Sequence, residues 1–286
     1  MRIGIIGLGL LGGAIAQRLI AEGYEVSGYD INEAARETAA ASGVDVRASA
    51  AEVAQSGSIL LLSLMNSDDR RRLFWSEQDL AEHLRPGTLI LDTTTADPED
   101  IRADHAALAK LDARLVDVCI SGSSQAVAQG RALALVGDTE EDAVGYQQIL
   151  GAFTKRQYFL GGPGRGNEAK LVVNIVMGLN RLVLAEALGL ARAGGFDLPQ
   201  MLEILREGDS YTTAMDTKGP QMVERRYEPP VARLEQHAKD VRLILDYAAR
   251  SGVDLPVSGL HRELIERAVE NGLGALDNTA IFELYT

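Results

Sequence analysis

Arg2-Ile3-Gly4-Ile5-Ile6-Gly7-Leu8-Gly9-Leu10-Leu11-Gly12 opens the chain, and the reading of this stretch decides the fold. A short β-branched run ends in glycines spaced Gly7-x-Gly9-x-x-Gly12, and an alanine-rich helical segment begins directly after. In a strand–turn–helix unit the first glycine allows the tight turn, the second lets a pyrophosphate approach the backbone, and the third lets the helix pack closely. The N–H groups at the helix start, where Leu10 and Leu11 stand, then face the phosphates. Asp30 closes the second β-rich run, 18 residues beyond Gly12. Its carboxylate suits both adenosine ribose hydroxyls and repels a 2′-phosphate, which favours NAD over NADP. Ile31 and Asn32 bring no cation to offset that charge, whereas a helix could carry Arg36 toward the ribose.

Outward from this unit, β-rich runs at residues 2–6, 25–29, 59–64, 88–92, 114–119 and 132–136 alternate with helical segments. That grammar predicts an α/β fold: a doubly wound, mostly parallel Rossmann sheet covered on both faces. After Gly161-Gly162-Pro163-Gly164 the strand patterns vanish. A helix is expected from about Asn167 to Ala193, stopped by Gly194-Gly195, and the remainder is read as helices and turns. The division is therefore placed as residues 1–163, an NAD-binding Rossmann domain, and residues 164–286, an all-helical domain for substrate binding and dimerisation. So long and apolar a helix, roughly 40 Å, needs cover on several sides, and packing in a homodimer or homotetramer would supply it.

With 286 residues, 46% hydrophobic and 24% charged, the composition is that of a globular protein. A formal charge of -13 opposes attraction to nucleic acid or an anionic membrane, so neither is expected as a partner. The apolar runs fall short of the roughly 20 residues a membrane span needs. Cys119 is the single cysteine, which excludes an intrachain disulfide and a thiolate zinc cage and fits the cytoplasm. His83, His105, His237 and His261 are scattered without ligand spacing, so no metal is expected.

Two stretches carry chemistry. Ser121-Gly122-Ser123 comes at the end of a predicted strand, where ligands bind in open α/β sheets, and a hydroxyl with successive backbone N–H groups can hold a carboxylate. In Gly164-Arg165-Gly166-Asn167-Glu168-Ala169-Lys170-Leu171-Val172-Val173-Asn174, Lys170 and Asn174 stand four residues apart and share a helix face. A lysine so placed can exchange a proton with a substrate oxygen.

Together with the opening glycines, the run Asp117-Val118-Cys119-Ile120 that leads into Ser121, and Lys239-Asp240, at a predicted helix start, these stretches give the chain its resemblance to the β-hydroxyacid dehydrogenase family, which includes 3-hydroxyisobutyrate dehydrogenases and tartronate semialdehyde reductases. The resemblance spans nearly the whole chain. It implies a small carboxylate substrate held by Ser121, Gly122 and Ser123, with Lys170 as general acid and base and Asn174 orienting the substrate. It also implies a supporting electrostatic role for Lys239, and a nicotinamide and ribose lining from Leu64, Met65 and Thr95. The chain departs from the family pattern at Val173, where an asparagine is usual, at Ser123 and Ala126, where glycines are common, at Arg131, and at Val231-Ala232. These changes touch the substrate rather than the reaction class.

Other classes lack their residues. No tyrosine has a lysine four positions on, as short-chain dehydrogenases require, and no histidine falls at a predicted strand end in the first domain, as a lactate or malate type enzyme requires. Imine reductases resemble the chain overall but typically lack the lysine, and a 6-phosphogluconate dehydrogenase usually has a much longer helical domain. An NAD-binding sensor or reader without turnover is the alternative from a different class.

Overall fold

The computed structural model describes residues 1–76 and 79–286. It divides into two compact units, Met1–Lys170 and Leu171–Thr286, with the division inside a long helix.

In the first unit eight strands form one sheet: β1 (Arg2–Ile6), β2 (Glu25–Tyr29), β3 (Asp45–Val46), β4 (Ile59–Leu62), β5 (Thr88–Asp92), β6 (Ala113–Ser121), β7 (Ala132–Val136) and β8 (Thr154–Phe159). Their order is β3-β2-β1-β4-β5-β6-β7-β8. The pairs from β3 through to β6 are parallel, β7 runs antiparallel to β6, and β8 is parallel to β7. Central strands are apolar on both faces because helices cover both: all four residues of β4 are buried. Two hydrophobic clusters result, one built on Ile3, Ile5, Leu61, Leu91 and Val118, the other on Ile6, Leu60, Leu62, Ile90 and Leu115. Alternate residues of one strand thus feed opposite layers. The α/β class and its doubly wound, mostly parallel sheet are as the sequence predicts.

Two strands escape the pattern. β3 has only two residues. In β8 the edge position leaves Lys155 and Arg156 exposed, and charge on an edge blunts strand pairing while erasing the apolar run that marks a strand.

The long helix is Arg165–Ala193, 29 residues, and starts two residues before the expected Asn167. The expectation that no apolar segment reaches membrane-spanning length needs correction: this helix does so by length and composition. Leu182, Leu184, Ala185 and Leu188 are buried in the core of the second unit, with Leu234, Val241, Ile265 and Phe282 from other helices of that unit. Segments Leu198–Glu207, Leu234–Arg250 and Pro256–Ala268 are its other longer helices. Lys239 lies in the second turn of Leu234–Arg250, not at a helix start as the sequence suggests.

Candidate active site

Five neighbouring strands bring their carboxyl ends to one edge of the sheet. Gly7 to Gly12 come after β1, Asp30 after β2, Leu64 and Met65 after β4 and Thr95 after β5, while Ser121 ends β6. Between β1 and β4 the strand order reverses, and such a switch point opens a crevice for ligands.

The glycines are required by close contacts. A Cβ on Gly7, whose φ is 93°, would lie 2.2 Å from the Ser63 carbonyl oxygen, and one on Gly12 would lie 1.9 Å from the Gly7 carbonyl oxygen. Gly9 instead faces open space, with nothing within 4 Å of a Cβ. It stands at the N-cap of the helix Leu10–Ala21, where no side chain caps the first turn. Open space above a helix N-terminus with uncapped N–H groups fits a dinucleotide pyrophosphate. Asp30 is fixed beside it: Oδ2 accepts from Leu8 N–H at 2.6 Å and Oδ1 from Asn32 N–H at 2.8 Å. Arg36 is drawn to the same corner, donating to the Asp30 carbonyl at 2.7 Å and the Ile31 carbonyl at 3.1 Å.

On the next strands, Leu64 N–H donates to Thr94 Oγ1 at 3.2 Å, which ties the β4 and β5 ends together, and Met65 is half exposed. Buried Asp92 organises the turn after β5 by accepting from Thr94 N–H at 2.9 Å and from Arg70 at 3.0 Å. Ser121 is partly buried, and Gly122 takes φ 142°, a region that favours glycine. The Ser123 hydroxyl caps the short helix Ser124–Ala128 by accepting from Ala126 N–H at 3.2 Å. Cys119 is buried, and its thiol lies 3.7 Å from the Thr94 carbonyl oxygen. Arg131 is exposed and bonds Gln129.

Lys170 reaches this edge from the long helix. Its ammonium donates to the Ile120 carbonyl at 2.7 Å, one residue before Ser121. The contact joins residues 50 apart in sequence. Within the second unit, Asn174 is buried and its Nδ2 donates to Asp240 Oδ2 at 3.3 Å, while Lys239 pairs with Asp240 Oδ1 at 3.1 Å. Asp240 thus links the two polar residues of that unit singled out by sequence.

Sequence reasoning misses two groups. Asp117 and Asn167 form a buried node at the start of the long helix; both stand within the stretches that carry the resemblance, but the sequence gives them no role of their own. In the second unit His237 and His261, which look scattered in sequence, have ring centroids 5.1 Å apart. Both pack on Gly178, where a Cβ would lie 2.8 Å from one ring and 2.9 Å from the other. Buried Arg181 shares their surroundings; burial lowers its pKa to about 10 against the pull of Asp277 and Asp240. Burial likewise lowers His261 to about 4, and Arg181 adds to that. No group of three or more acidic, histidine or cysteine side chains suited to a metal occurs among the described residues.

Comparison with known proteins shows the family. Residues 2–162 match the family model described as the NAD binding domain of 6-phosphogluconate dehydrogenase, and residues 164–285 match that described as NAD-binding of NADP-dependent 3-hydroxyisobutyrate dehydrogenase. The glyoxylate/succinic semialdehyde reductase 1 of Arabidopsis thaliana is 29% identical over 99% of this chain and 98% of that protein. The L-threonate dehydrogenase of Escherichia coli is 25% identical over 99% and 94%. The crystal structure of a 3-hydroxyisobutyrate dehydrogenase from Salmonella typhimurium superposes with a TM-score of 0.92 at 24% identity, covering 99% of each chain, and shares the fold. With the glycine-rich crevice, the β6 turn and the lysine on the long helix in place, the chain belongs to the β-hydroxyacid dehydrogenase family.

Proposed function

We propose that the protein is an NAD-dependent 3-hydroxyacid dehydrogenase that interconverts a small 3-hydroxy acid and the corresponding semialdehyde. The observation that carries this is the Lys170 ammonium at the carboxyl end of β6, hydrogen-bonded beside Ser121. Gly7, Gly9, Leu10, Leu11 and Gly12 cradle the dinucleotide phosphates, Asp30 takes the adenosine ribose, and Leu64, Met65 and Thr95 line the nicotinamide side. NAD, when bound, supplies the hydride acceptor for alcohol oxidation. Ser121, Gly122 and Ser123 hold the substrate carboxylate. Lys170 accepts the hydroxyl proton in oxidation and returns one to the carbonyl oxygen in reduction, which contributes about 10²–10⁴-fold to rate. Asn174 orients the substrate, and Lys239 adds positive charge for its acid group.

Asp30 supports NAD over NADP, and Arg36 at the same corner makes that preference a matter of degree. The end of one family match at 162 and the start of the next at 164 support a domain division at Pro163–Gly164. Exposed Val172, Val176, Val183 and Leu190 form one stripe on the long helix, a surface suited to a second copy in a homodimer or homotetramer. A single cysteine, with no intrachain disulfide to form, accords with the cytoplasm.

A panel of small 3-hydroxy acids at alkaline pH, with NAD and NADP side by side, tests the proposal through absorbance of the reduced cofactor. Turnover of at least one acid, faster with NAD, is expected. Tight NAD binding with no turnover across the panel would instead support a sensor.

A further inference from the structure

Asp117 is the one acidic residue of β6, is fully buried, and has its pKa raised by burial against the N–H groups that hold it. A carboxylate in such a place is costly unless its hydrogen bonds are made. Here they come from the start of the long helix: Oδ1 accepts from Gly164 N–H at 2.9 Å, and Oδ2 from Asn167 N–H at 2.8 Å and from Asn167 Nδ2 at 3.3 Å. The strand thus caps the helix with a charge of the sign its N-terminus favours.

Space has been cleared for this arrangement. A Cβ on Gly137 would lie 1.9 Å from Asp117 Oδ1, and one on Gly166 would lie 2.5 Å from the Leu135 carbonyl oxygen and 2.9 Å from Asp117 Oδ2. Asn167 has a further partner, since its Oδ1 accepts from Ala96 N–H at 2.8 Å, the residue after Thr95. One buried pair therefore joins the turn after β5, strand β6 and the helix.

Two rungs connect the same strand and helix: Asp117 to Asn167, and Ile120 to Lys170, each three residues further on. One residue of helical slip turns a side chain by about 100°, so the first rung sets where the lysine points. We propose that Asp117 and Asn167 are positioning residues for the Lys170 ammonium, holding the phase of the helix so that the amine meets the carboxyl end of β6. This rests on Lys170 as the proton-transfer residue, but its geometry can be tested without turnover.

The variants are Asn167→Ala, Asp117→Asn and the double variant Asp117→Asn/Asn167→Asp, which moves the charge onto the helix and restores a donor–acceptor pair. Two readouts are taken on folded full-length protein: acetylation of Lys170 by acetic anhydride as a function of pH, normalised to exposed Lys110 and Lys155, and kcat and KM where the parent turns over. Asn167→Ala keeps the backbone cap. It is expected to raise Lys170 labelling several-fold and lower kcat tenfold or more, with KM for the cofactor changed less than threefold. Asp117→Asn should do more of both, and the double variant should regain part of each loss. Parental labelling and kcat in Asn167→Ala would overturn the proposal, as would a folded double variant no better than Asp117→Asn. If Asp117→Asn does not fold, Asn167→Ala alone decides. A parent that oxidises no hydroxy acid would defeat the functional reading, while the labelling ratio would still judge the positioning.

Discussion

Among the described residues each unit buries one arginine, and the two are treated in opposite ways. Arg70, in the sheet unit, is fully buried and pairs with Asp92 at 3.0 Å and Asp104 at 2.7 Å. Burial opposes its charge, but the two carboxylates outweigh that and hold its pKa above the usual value. Arg181, in the helical unit, is 6% exposed; its Nη2, like that of Arg70, has no hydrogen-bond partner among the described residues, and no carboxylate there forms an ion pair with it. There burial wins and the pKa falls. The Nε2 atoms of neighbouring His237 and His261 are unpartnered among those residues as well. In the sheet unit, then, buried charge fixes strand ends: Asp92 shapes the turn before Thr95, and Asp117 holds the helix that carries Lys170. In the helical unit the Arg181 cluster is a local cost that other packing offsets.

By that contrast, substitutions in the sheet unit are expected to remove either chemistry or pairing, and those in the cluster to move mainly stability. Lys170→Ala should show the largest effect, a fall in kcat of about 10²–10⁴-fold with NAD affinity within a few fold; steady-state kinetics and cofactor titration measure both, and a near-normal rate would remove Lys170 from the mechanism. Arg70→Met comes next. It strands Asp92 in the core, and breaking a buried pair in this way costs about 3–5 kcal/mol, readable by urea unfolding.

The histidines give a pH-dependent test. The folded pKa of His261 lies near 4, below its unfolded value near 6.5, so the unfolded chain binds the proton more readily between those values. Stability from this group is therefore present above about pH 6.5 and lost as pH falls toward 4, amounting to about 2 kcal/mol at pH 5. His237, shifted the same way by burial, adds to the loss. His261→Leu should flatten the profile between pH 7 and pH 5, and an unchanged slope would mean that the ring is better solvated than its burial implies. Arg181→Met should have the smallest effect, within about 1 kcal/mol of the parent and of either sign, because an apolar side chain removes the desolvation cost together with the attraction to Asp240 and Asp277. A loss as large as that of Arg70→Met would erase the difference between the two arginines.

Legibility in sequence depends on whether a residue acts with its neighbours in the chain. Gly7, Gly9 and Gly12 act within one strand–turn–helix unit, so their spacing, read with the strand before them and Asp30 beyond, points to a dinucleotide. The buried central strands are equally legible because both faces are apolar. β8 is not, since Lys155 and Arg156 on an edge strand break the apolar run. The lysine and asparagine of the long helix stand out by their four-residue spacing, but the Ile120 carbonyl that accepts from Lys170 leaves no trace in sequence. Asp117 reads as an interruption in a strand, and only the fold brings Gly164 and Asn167 to supply its hydrogen bonds.

By itself the sequence determined the α/β class, the dinucleotide crevice, the long helix and the candidate lysine, because each is written in local spacing and periodicity. Tertiary structure alone decided that Asp117 caps a helix about 50 residues away, that the tilted rings of His237 and His261 meet over Gly178, and that, among the described residues, Arg70 is ion-paired while Arg181 is not. Those outcomes depend on which distant groups share a small dry volume, where an unmade hydrogen bond costs about 1–3 kcal/mol, and chain order does not encode that proximity.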